Sequence, residues 1–521
     1  MSTGRSLQRF IRLPNDTLLV VGLVLLTILS RLPFRSQIMY HWDCINFAMA
    51  LKEFNLAKEQ PHPPGYILYV YLGRLVNSVV SDRAVALIFI SIVSSALAVV
   101  ALFYLGRTVF NRKVGLISAL LLASSPLFWF YGEISLPHPA DAFLIILSAW
   151  WLYRVMAGDH RYVIPVAILL AIAGGFRQQT LVMMTPLAFF AVRKVKPGLL
   201  ALGALVGGVI CVGWFVPLVQ SQGGLKIYLE LSKAFSDRFM ITTSMLQGAG
   251  WWGIRRNLIK LGMYTLYAWN LAMIPGLLYI GLRLWHRPRS WNREKVIFFL
   301  LWIVPFSAFY VFIHMGQQGQ VFVFLPALFL ISATGLVRLA TRWPHWPIVT
   351  TAILVTVNGS IFCLAPEYPL GVERLRLLTR ATLANSDHYY GDRFTAIQDH
   401  FALESIAILA ANWHHVEYYL PDYLLLPFSV VGKWEKGEGN PRGNPQEVVV
   451  TPTELGLRLD GRGQAVIVVF DPYLMTFSES PMSAQKLPLK HGGGLDYFAM
   501  TKEQAFHYGA RSFGVTENWP P

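Results

Sequence analysis

Residues Arg83–Glu133 read RAVALIFISIVSSALAVVALFYLGRTVFNRKVGLISALLLASSPLFWFYGE. Two apolar runs, 84–106 and 114–132, flank Arg107, Arg112 and Lys113, and the second run ends at Glu133. A spanning helix needs about 20 apolar residues, with a range of about 17–25. In hydrocarbon the backbone has to satisfy its own hydrogen bonds, which a helix does within one segment. The stretch therefore reads as a helical hairpin through a bilayer. Its basic turn marks the cytoplasmic side, which puts Glu133 at the opposite face.

The same reading extends outward to runs at 17–33, 140–156, 162–175, 180–193, 198–219, 261–283, 296–313, 320–337 and 346–364. With the hairpin this makes about eleven spans. The runs 162–175 and 180–193 are short and joined through Gly174–Gln179, so that one of them could be merged or tilted and the count shifts by about one or two. Basic residues recur in every second connection: Arg5/Arg9/Arg12, Arg107/Arg112/Lys113, Arg154/Arg161, Arg193/Lys194/Lys196, Arg283/Arg287/Arg289/Arg293/Lys295 and Arg338/Arg342. The short turns 133–139 and 314–320 carry no Lys or Arg. This alternation sets a cytoplasmic N-terminus, as expected of a multi-pass plasma-membrane protein. The run Thr17–Leu32 has no small-residue cleavage site and reads as a retained span.

Composition agrees. Of 521 residues 54% are hydrophobic and 14% charged, with a mean hydropathy of +0.46; a soluble chain carries roughly a quarter charged residues. The net charge of +15 is spread in small clusters between apolar runs, which argues against a nucleic-acid partner. Cys44, Cys211 and Cys363 supply neither a disulfide framework nor a Cys-rich metal site. No P-loop, dinucleotide fingerprint, HExxH or nucleophile-elbow serine motif is present. No cofactor is implied, and a divalent metal is compatible with the residues without being required.

An odd number of spans puts the chain after about residue 365 on the outer side. That tail has short β-branched runs at Ser405–Ala411, Val448–Val450 and Ala465–Phe470, and a Gly/Pro loop at 437–445. The expected organisation is a helical membrane domain over 1–365 and a small extracytoplasmic α/β domain over 366–521.

The candidate chemistry lies in the outer loops. The first, 34–83, holds His41-Trp42-Asp43 and Gln60-Pro61-His62-Pro63-Pro64-Gly65-Tyr66. Between them Cys44, Phe47, Ala48, Leu51 and Phe54 recur at helical spacing, which suggests an amphipathic helix on the membrane surface. Asp43, just before it, reads either as an N-cap or as a general base at the membrane boundary. Glu133, His138 and Asp141 cluster where one span ends and the next begins. Glu133 and Asp141 read either as interfacial, water-exposed groups or as functional ones, since an ionisable group facing a bundle is costly and more often functional, whereas His138 between two prolines suits a turn. Arg177, in Gly-Gly-Phe-Arg-Gln-Gln with Gln178, reads as a snorkelling arginine or as an anion ligand. His314 and Gln317, with Gln318 and Gln320, form a polar patch that either binds sugar hydroxyls or hydrates a turn.

From Asp43 through Leu152 the chain resembles the multispanning glycosyltransferases of the GT-C fold. The resemblance is to the branch containing protein O-mannosyltransferases and the aminoarabinose transferases of lipid A. It rests on Asp43, Pro63-Pro64-Gly65-Tyr66, Arg83, Gly106-Arg107…Phe110-Asn111-Arg112 and Glu133, with the later stretch Gly319–Pro326. Cys44 stands where the family often has a second acidic residue, and His62 where relatives often place Lys before the Pro-Pro pair.

This resemblance implies a polyprenyl-phosphate sugar donor and an acceptor glycan, lipid or protein, with membrane lipid as surroundings. Topology points the same way, because nucleotide sugars are cytoplasmic and the candidate loops face out. The reaction would be an inverting displacement with Asp43 as base. His62, Arg177 and Lys52 would hold the donor phosphate, and Glu133 would orient the acceptor or position Asp43. His138, Asp141, Gln178, His314 and Gln317 complete the expected substrate-binding set. The rival readings are a lipid or sugar transporter or flippase, which calls for midplane charges and broken helices in symmetric halves, and a non-enzymatic membrane scaffold.

Overall fold

Each apolar run is helical over most of its length in the computed structural model, which describes residues 15–285, 292–339, 345–367, 376–431, 447–450, 456–457, 459, 463–478, 480, 482–508 and 511–515. The basic positions Arg5, Arg9, Arg12, Arg287, Arg289 and Arg342 and the loop 437–445 lie outside the described residues.

The helices are α1 (Asp16–Arg31), α2 (Trp42–Lys52), α3 (Ile67–Val80), α4 (Arg83–Val109), α5 (Arg112–Ser124), α6 (Pro126–Tyr131), α7 (His138–Met156), α8 (Val163–Phe176) and α9 (Gln178–Val192). They continue as α10 (Pro197–Ser221), α11 (Leu225–Met240), α12 (Gly250–Trp269), α13 (Met273–Trp285), α14 (Arg293–Phe312), α15 (Leu325–Leu339), α16 (Trp346–Leu364), α17 (Arg380–His400) and α18 (Trp413–Tyr419). The chain divides into two compact units: residues 1–35, 64–229 and 256–381 form the first, and 36–63, 230–255 and 382–521 the second. The segments 36–63 and 230–255 thus group with the C-terminal residues 382–521, and 366–381 with the helical unit.

Six helical stretches are long and apolar enough to cross a membrane, among the described residues: 16–34, 83–109, 197–221, 293–312 and 346–364 in the first unit, and 250–285, whose first residues group with the second. Shorter apolar helices, α3, α8, α9 and α15, accompany them. The sequence reading of 34–83 did not anticipate α3. The run 114–132 is not one straight helix, because Pro126 starts α6 and the chain turns at Ser125 between α5 and α6. A proline lacks the N–H that a continuous helix would use; the Ser125 N–H closes α5 on the Leu121 carbonyl at 3.0 Å, and Ser125 Oγ donates to the Ala268 carbonyl at 2.7 Å.

The α4–α5 hairpin is tight. A Cβ on Gly115 would stand 2.4 Å from the Phe103 carbonyl oxygen, so glycine is what lets the two backbones meet, as small residues do between membrane helices. Asn111 caps α5 by accepting from the Val114 N–H at 3.0 Å. Asp16, in the first turn of α1, pairs with Arg107 and, at 2.8 Å, with Arg112. The Gly-Arg…Phe-Asn-Arg motif is therefore the stitched end of three helices. By contrast α10 leaves Leu202, Leu205, Val209, Val212 and Val216 exposed, the surface a bilayer would solvate.

The second unit is built on a six-stranded mixed sheet of order β3-β2-β1-β5-β7-β6, plus a three-stranded sheet β4-β9-β8. Its strands are β1 (Ile406–Ala410), β2 (Leu424–Val431), β3 (Glu447–Val450), β4 (Gly456–Leu457), β5 (Ala465–Val469), β6 (Gln485–Pro488), β7 (Gly494–Met500), β8 (Ala505–Tyr508) and β9 (Arg511–Val515). β1 is parallel to β2 and to β5, and the other pairs of the large sheet are antiparallel. All five residues of β1 and of β5 are buried, as unbroken apolar parallel strands require. Leu409, Ile467 and Val469 pack on one side with Phe498 and Phe506, while Ile408 and Val468 pack on the other with Phe394, Ile397 and Val416 of α17 and α18.

The helix expected after Asp43 is present as α2, but it does not lie on a surface. Cys44, Ile45, Asn46, Phe47, Ala48, Ala50 and Leu51 are buried, which covers every side of the helix, and α2 packs against α18. An apolar run without a polar stripe is solvated by protein rather than shared between lipid and water.

Candidate active site

In the second unit the segment before α2 is pinned by the C-terminal domain. The Asp387 carboxylate accepts from the Gln37 and Ile38 N–H groups at 3.1 and 2.9 Å. The Met39 N–H donates to the Tyr419 hydroxyl at 3.0 Å, and the Met39 carbonyl accepts from His415 Nε2 at 2.8 Å. His415 in turn stacks on Tyr390, ring centroids 4.0 Å apart. α2 then starts at Trp42, and His41 is its cap: His41 Nδ1 accepts from the Asp43 N–H at 3.1 Å. Asp43 is thus the second residue of the helix and not its N-cap, which leaves its carboxylate for other contacts.

Those contacts are histidines. Asp43 Oδ2 stands 3.5 Å from His41 Nδ1 and Oδ1 stands 3.6 Å from His62 Nδ1, with the carboxylate side chain 16% exposed. His62 stacks on Phe235 of α11 at 5.5 Å and meets Phe47 edge-on at 5.8 Å. Burial pulls the His41 imidazole down despite the Asp43 charge, which opposes it. A carboxylate held between two imidazoles in a half-dry setting is placed to take a proton from a substrate hydroxyl. Arg238 of α11 pairs with Glu59. Lys52, at the C-terminal end of α2, is exposed.

In the first unit Asp141 sits in the first turn of α7. It accepts from Thr180 Oγ1 at 2.5 Å and from Arg177 Nη1 at 3.2 Å, and both charged groups are buried. Arg177 is held in extended backbone between α8 and α9, and Tyr310 and Tyr66 are close enough to interact with its charge. Arg177 is the sole cation of its own turn, as the sequence has it, but Asp141 already opposes its charge. Gln178 Nε2 donates to the Pro64 carbonyl at 3.3 Å and to the Tyr228 hydroxyl at 3.2 Å, so the Pro-Pro motif is anchored to the Arg-Gln-Gln turn.

Glu133 follows α6 and is fully buried. Arg31 supplies its opposing charge; that guanidinium donates to Ser30 Oγ at 2.7 Å and the Ala123 carbonyl at 2.6 Å and lies over Trp129. His138 Nε2 meets Gln317 Oε1 at 2.7 Å, and a Cβ on Gly319 would stand 2.8 Å from the same imidazole. Glycine therefore lets the 318–323 turn close over His138. His314 folds against its own loop, 2.6 Å from where a Gly316 Cβ would be. Among the described residues no group of three or more His, Cys, Asp or Glu gathers closely enough to hold a metal ion.

The structure thus joins Asp43 with His62, Arg177 with Asp141, and His138 with Gln317, and gives Glu133 a buried counter-charge. Arg31, Thr180, Phe235 and His414 are not singled out as site residues by the sequence, and His41, which does stand out beside Asp43, takes its role as cap only from the backbone geometry. Arg31 ends an apolar span and passes for a snorkelling residue. The doublet His414-His415 after a strand was the legible signal for the second unit.

Residues 61–219 match the family described as dolichyl-phosphate-mannose-protein mannosyltransferase. Over 110 residues, 19% of this chain, the sequence is 31% identical to the protein O-mannosyl-transferase tmem260 of Dictyostelium discoideum, and the match spans 13% of that relative's length. Among solved structures, ArnT from Cupriavidus metallidurans bound to undecaprenyl phosphate is similar with a TM-score of 0.57 at 12% identity, over 93% of this chain and 97% of that one. The same protein in the apo state gives 0.55 at 13% identity with the same coverage. At such identities the likeness is one of fold. The chain is a multi-pass membrane protein with the GT-C fold, and its residues 61–219 carry the pattern of the dolichyl-phosphate-mannose-protein mannosyltransferase family.

Proposed function

We propose that this protein is a glycosyltransferase that moves a sugar from a polyprenyl-phosphate donor to an acceptor hydroxyl at the outer face of the membrane. The observation that carries the reading is Asp43, a carboxylate set at 3.5 and 3.6 Å from two imidazoles rather than spent as a helix cap. The family pattern over 61–219 and the undecaprenyl phosphate bound by a protein of the same fold support a lipid-linked donor. The alternating basic connections support an outward-facing site and a cytoplasmic N-terminus.

In this reading Asp43 removes the acceptor proton while the acceptor oxygen attacks the anomeric carbon, and the polyprenyl phosphate leaves from the opposite face with inversion. The leaving phosphate is already an anion, so cationic donors matter more to it than a general acid. Arg177, His62 and Lys52 are the groups we assign to it; Arg177 acts through N–H donors beyond the one that Asp141 takes. Glu133 orients the acceptor, and His138, Asp141, Gln178, His314 and Gln317 shape the surroundings.

Binding of polyprenyl-phosphate mannose to the purified full-length protein tests the donor class. The lipid-linked sugar binds, GDP-mannose does not, and Arg177→Ala weakens the lipid by roughly 10- to 100-fold, the worth of a charged hydrogen bond. Tight binding that ignores Arg177→Ala, His62→Ala and Lys52→Ala alike contradicts the phosphate assignment.

A further inference from the structure

Ligands of open α/β sheets bind outside the carboxyl ends of the parallel strands. In the second unit that edge is formed by β1 and β5, which run parallel side by side. Beyond β1 come Asn412 and α18; beyond β5 comes Asp471. Asp471 closes the edge between the strands. It accepts from the Ala411 and Asn412 N–H groups at 2.8 and 2.9 Å, from Asn412 Nδ2 at 2.6 Å and from the Tyr389 hydroxyl at 2.6 Å.

Past that latch the edge becomes aromatic. Trp413 and His414 stack with ring centroids 3.6 Å apart and planes 23° apart. Trp42 meets His414 edge-on at 6.3 Å and His41 edge-on at 5.6 Å, and His41 reaches Asp43. The series Trp413, His414, Trp42, His41, Asp43 is unbroken. Trp42 is 47% exposed, although seven of the next nine positions of α2 are buried. An indole left about half uncovered at the start of an otherwise buried helix offers surface to a ligand. Arg238, a cation close enough to act on His414, is engaged by Glu59, so the cluster suits a neutral ligand with both apolar and hydroxyl faces.

We propose that Trp42, Trp413 and His414 form a carbohydrate subsite beside Asp43, in which the C–H face of a sugar ring stacks on indole and His414 exchanges hydrogen bonds with its hydroxyls. The proposal deepens the glycosyltransferase reading and rests on it. The electron-rich face of an indole attracts the weakly positive C–H hydrogens that line one side of a sugar ring. Burial holds the His414 imidazole down to about 4, so at neutral pH it carries one donor and one acceptor nitrogen.

The test is saturation-transfer NMR on the purified full-length protein with the methyl glycosides of mannose, glucose, galactose and arabinose. At least one glycoside binds. Trp42→Ala and Trp413→Ala weaken it by about 3- to 10-fold, as loss of an aromatic contact does, whereas Trp42→Phe retains it and confirms that the helix still folds. Two arms identify the source of the sugar. If it is the donor's, Trp42→Ala weakens polyprenyl-phosphate mannose but not bare polyprenyl phosphate. If it is the acceptor's, neither lipid is affected and the KM for the glycoside as acceptor rises. No binding of any of the four glycosides, or binding indifferent to both alanine variants, overturns the subsite. Failure here with sugar transfer intact removes the subsite alone; Trp42-dependent glycoside binding without any transfer removes the transferase reading instead.

Discussion

Asp141 and Arg177 are a carboxylate and a guanidinium buried together, with Thr180 as a third member. Removing one member of such a pair leaves a charge in a dry setting, which typically costs about 3–5 kcal/mol, while removing both costs far less. Asp141→Asn and Arg177→Gln each should lower the melting temperature of the detergent-solubilised protein strongly, and the double variant should recover much of the loss. Additive losses would mean that the two groups act independently. Asp43 shows the opposite economy. Its helix is capped by its neighbour, His41, so its own oxygens are not used as the cap and face His41 and His62 instead. From the sequence alone both a cap and a base were readable at this position, because both call for an acidic residue beside a helix start. Only the backbone geometry separates them.

α18 is a short helix that carries two histidines into a dry place, and this gives the second unit a pH limit. Burial holds His414 down to about 4 and His415 to about 3, against an ordinary 6.5. The unfolded chain takes up these protons first, so folding is favoured fully above about pH 6.5 and loses that contribution as pH falls toward 3. Thermal melts of the intact chain between pH 7.5 and 4 should show the transition of the C-terminal unit moving down with acid, and His415→Phe should flatten the trend. A melt that does not move over this range would contradict the burial of α18. The strands β1, β3 and β5 were legible because each is a short β-branched run between turn residues. α3 was not, since its apolar residues cover only 14 positions and come after a proline-rich turn. α2 was placed correctly but given the wrong solvent, because helical spacing records a buried face without saying what buries it.

At the scale of the whole molecule, the sequence carries the membrane class and the α/β tail, both fixed by patterns of period and charge that need no tertiary contact. It does not carry the grouping of 36–63 and 230–255 with the C-terminal domain, which depends on hydrogen bonds such as Asp387 to Ile38 between residues far apart in the chain. The orientation is open to direct test. In a version lacking Cys44, Cys211 and Cys363, a cysteine placed at Lys490 should react with an impermeant maleimide on intact cells, and one at Lys113 only after permeabilisation. Labelling of 113 on intact cells would invert the topology and move the candidate site to the cytoplasm. Catalysis is measured directly as sugar transfer by the reconstituted protein from radiolabelled polyprenyl-phosphate sugars, mannose first. Wild type should transfer label to acceptor with inversion, and Asp43→Asn should bind donor normally yet be slower by about 10²–10⁴-fold, the usual worth of a general base. Transfer by Asp43→Asn within a few-fold of wild type would contradict the account.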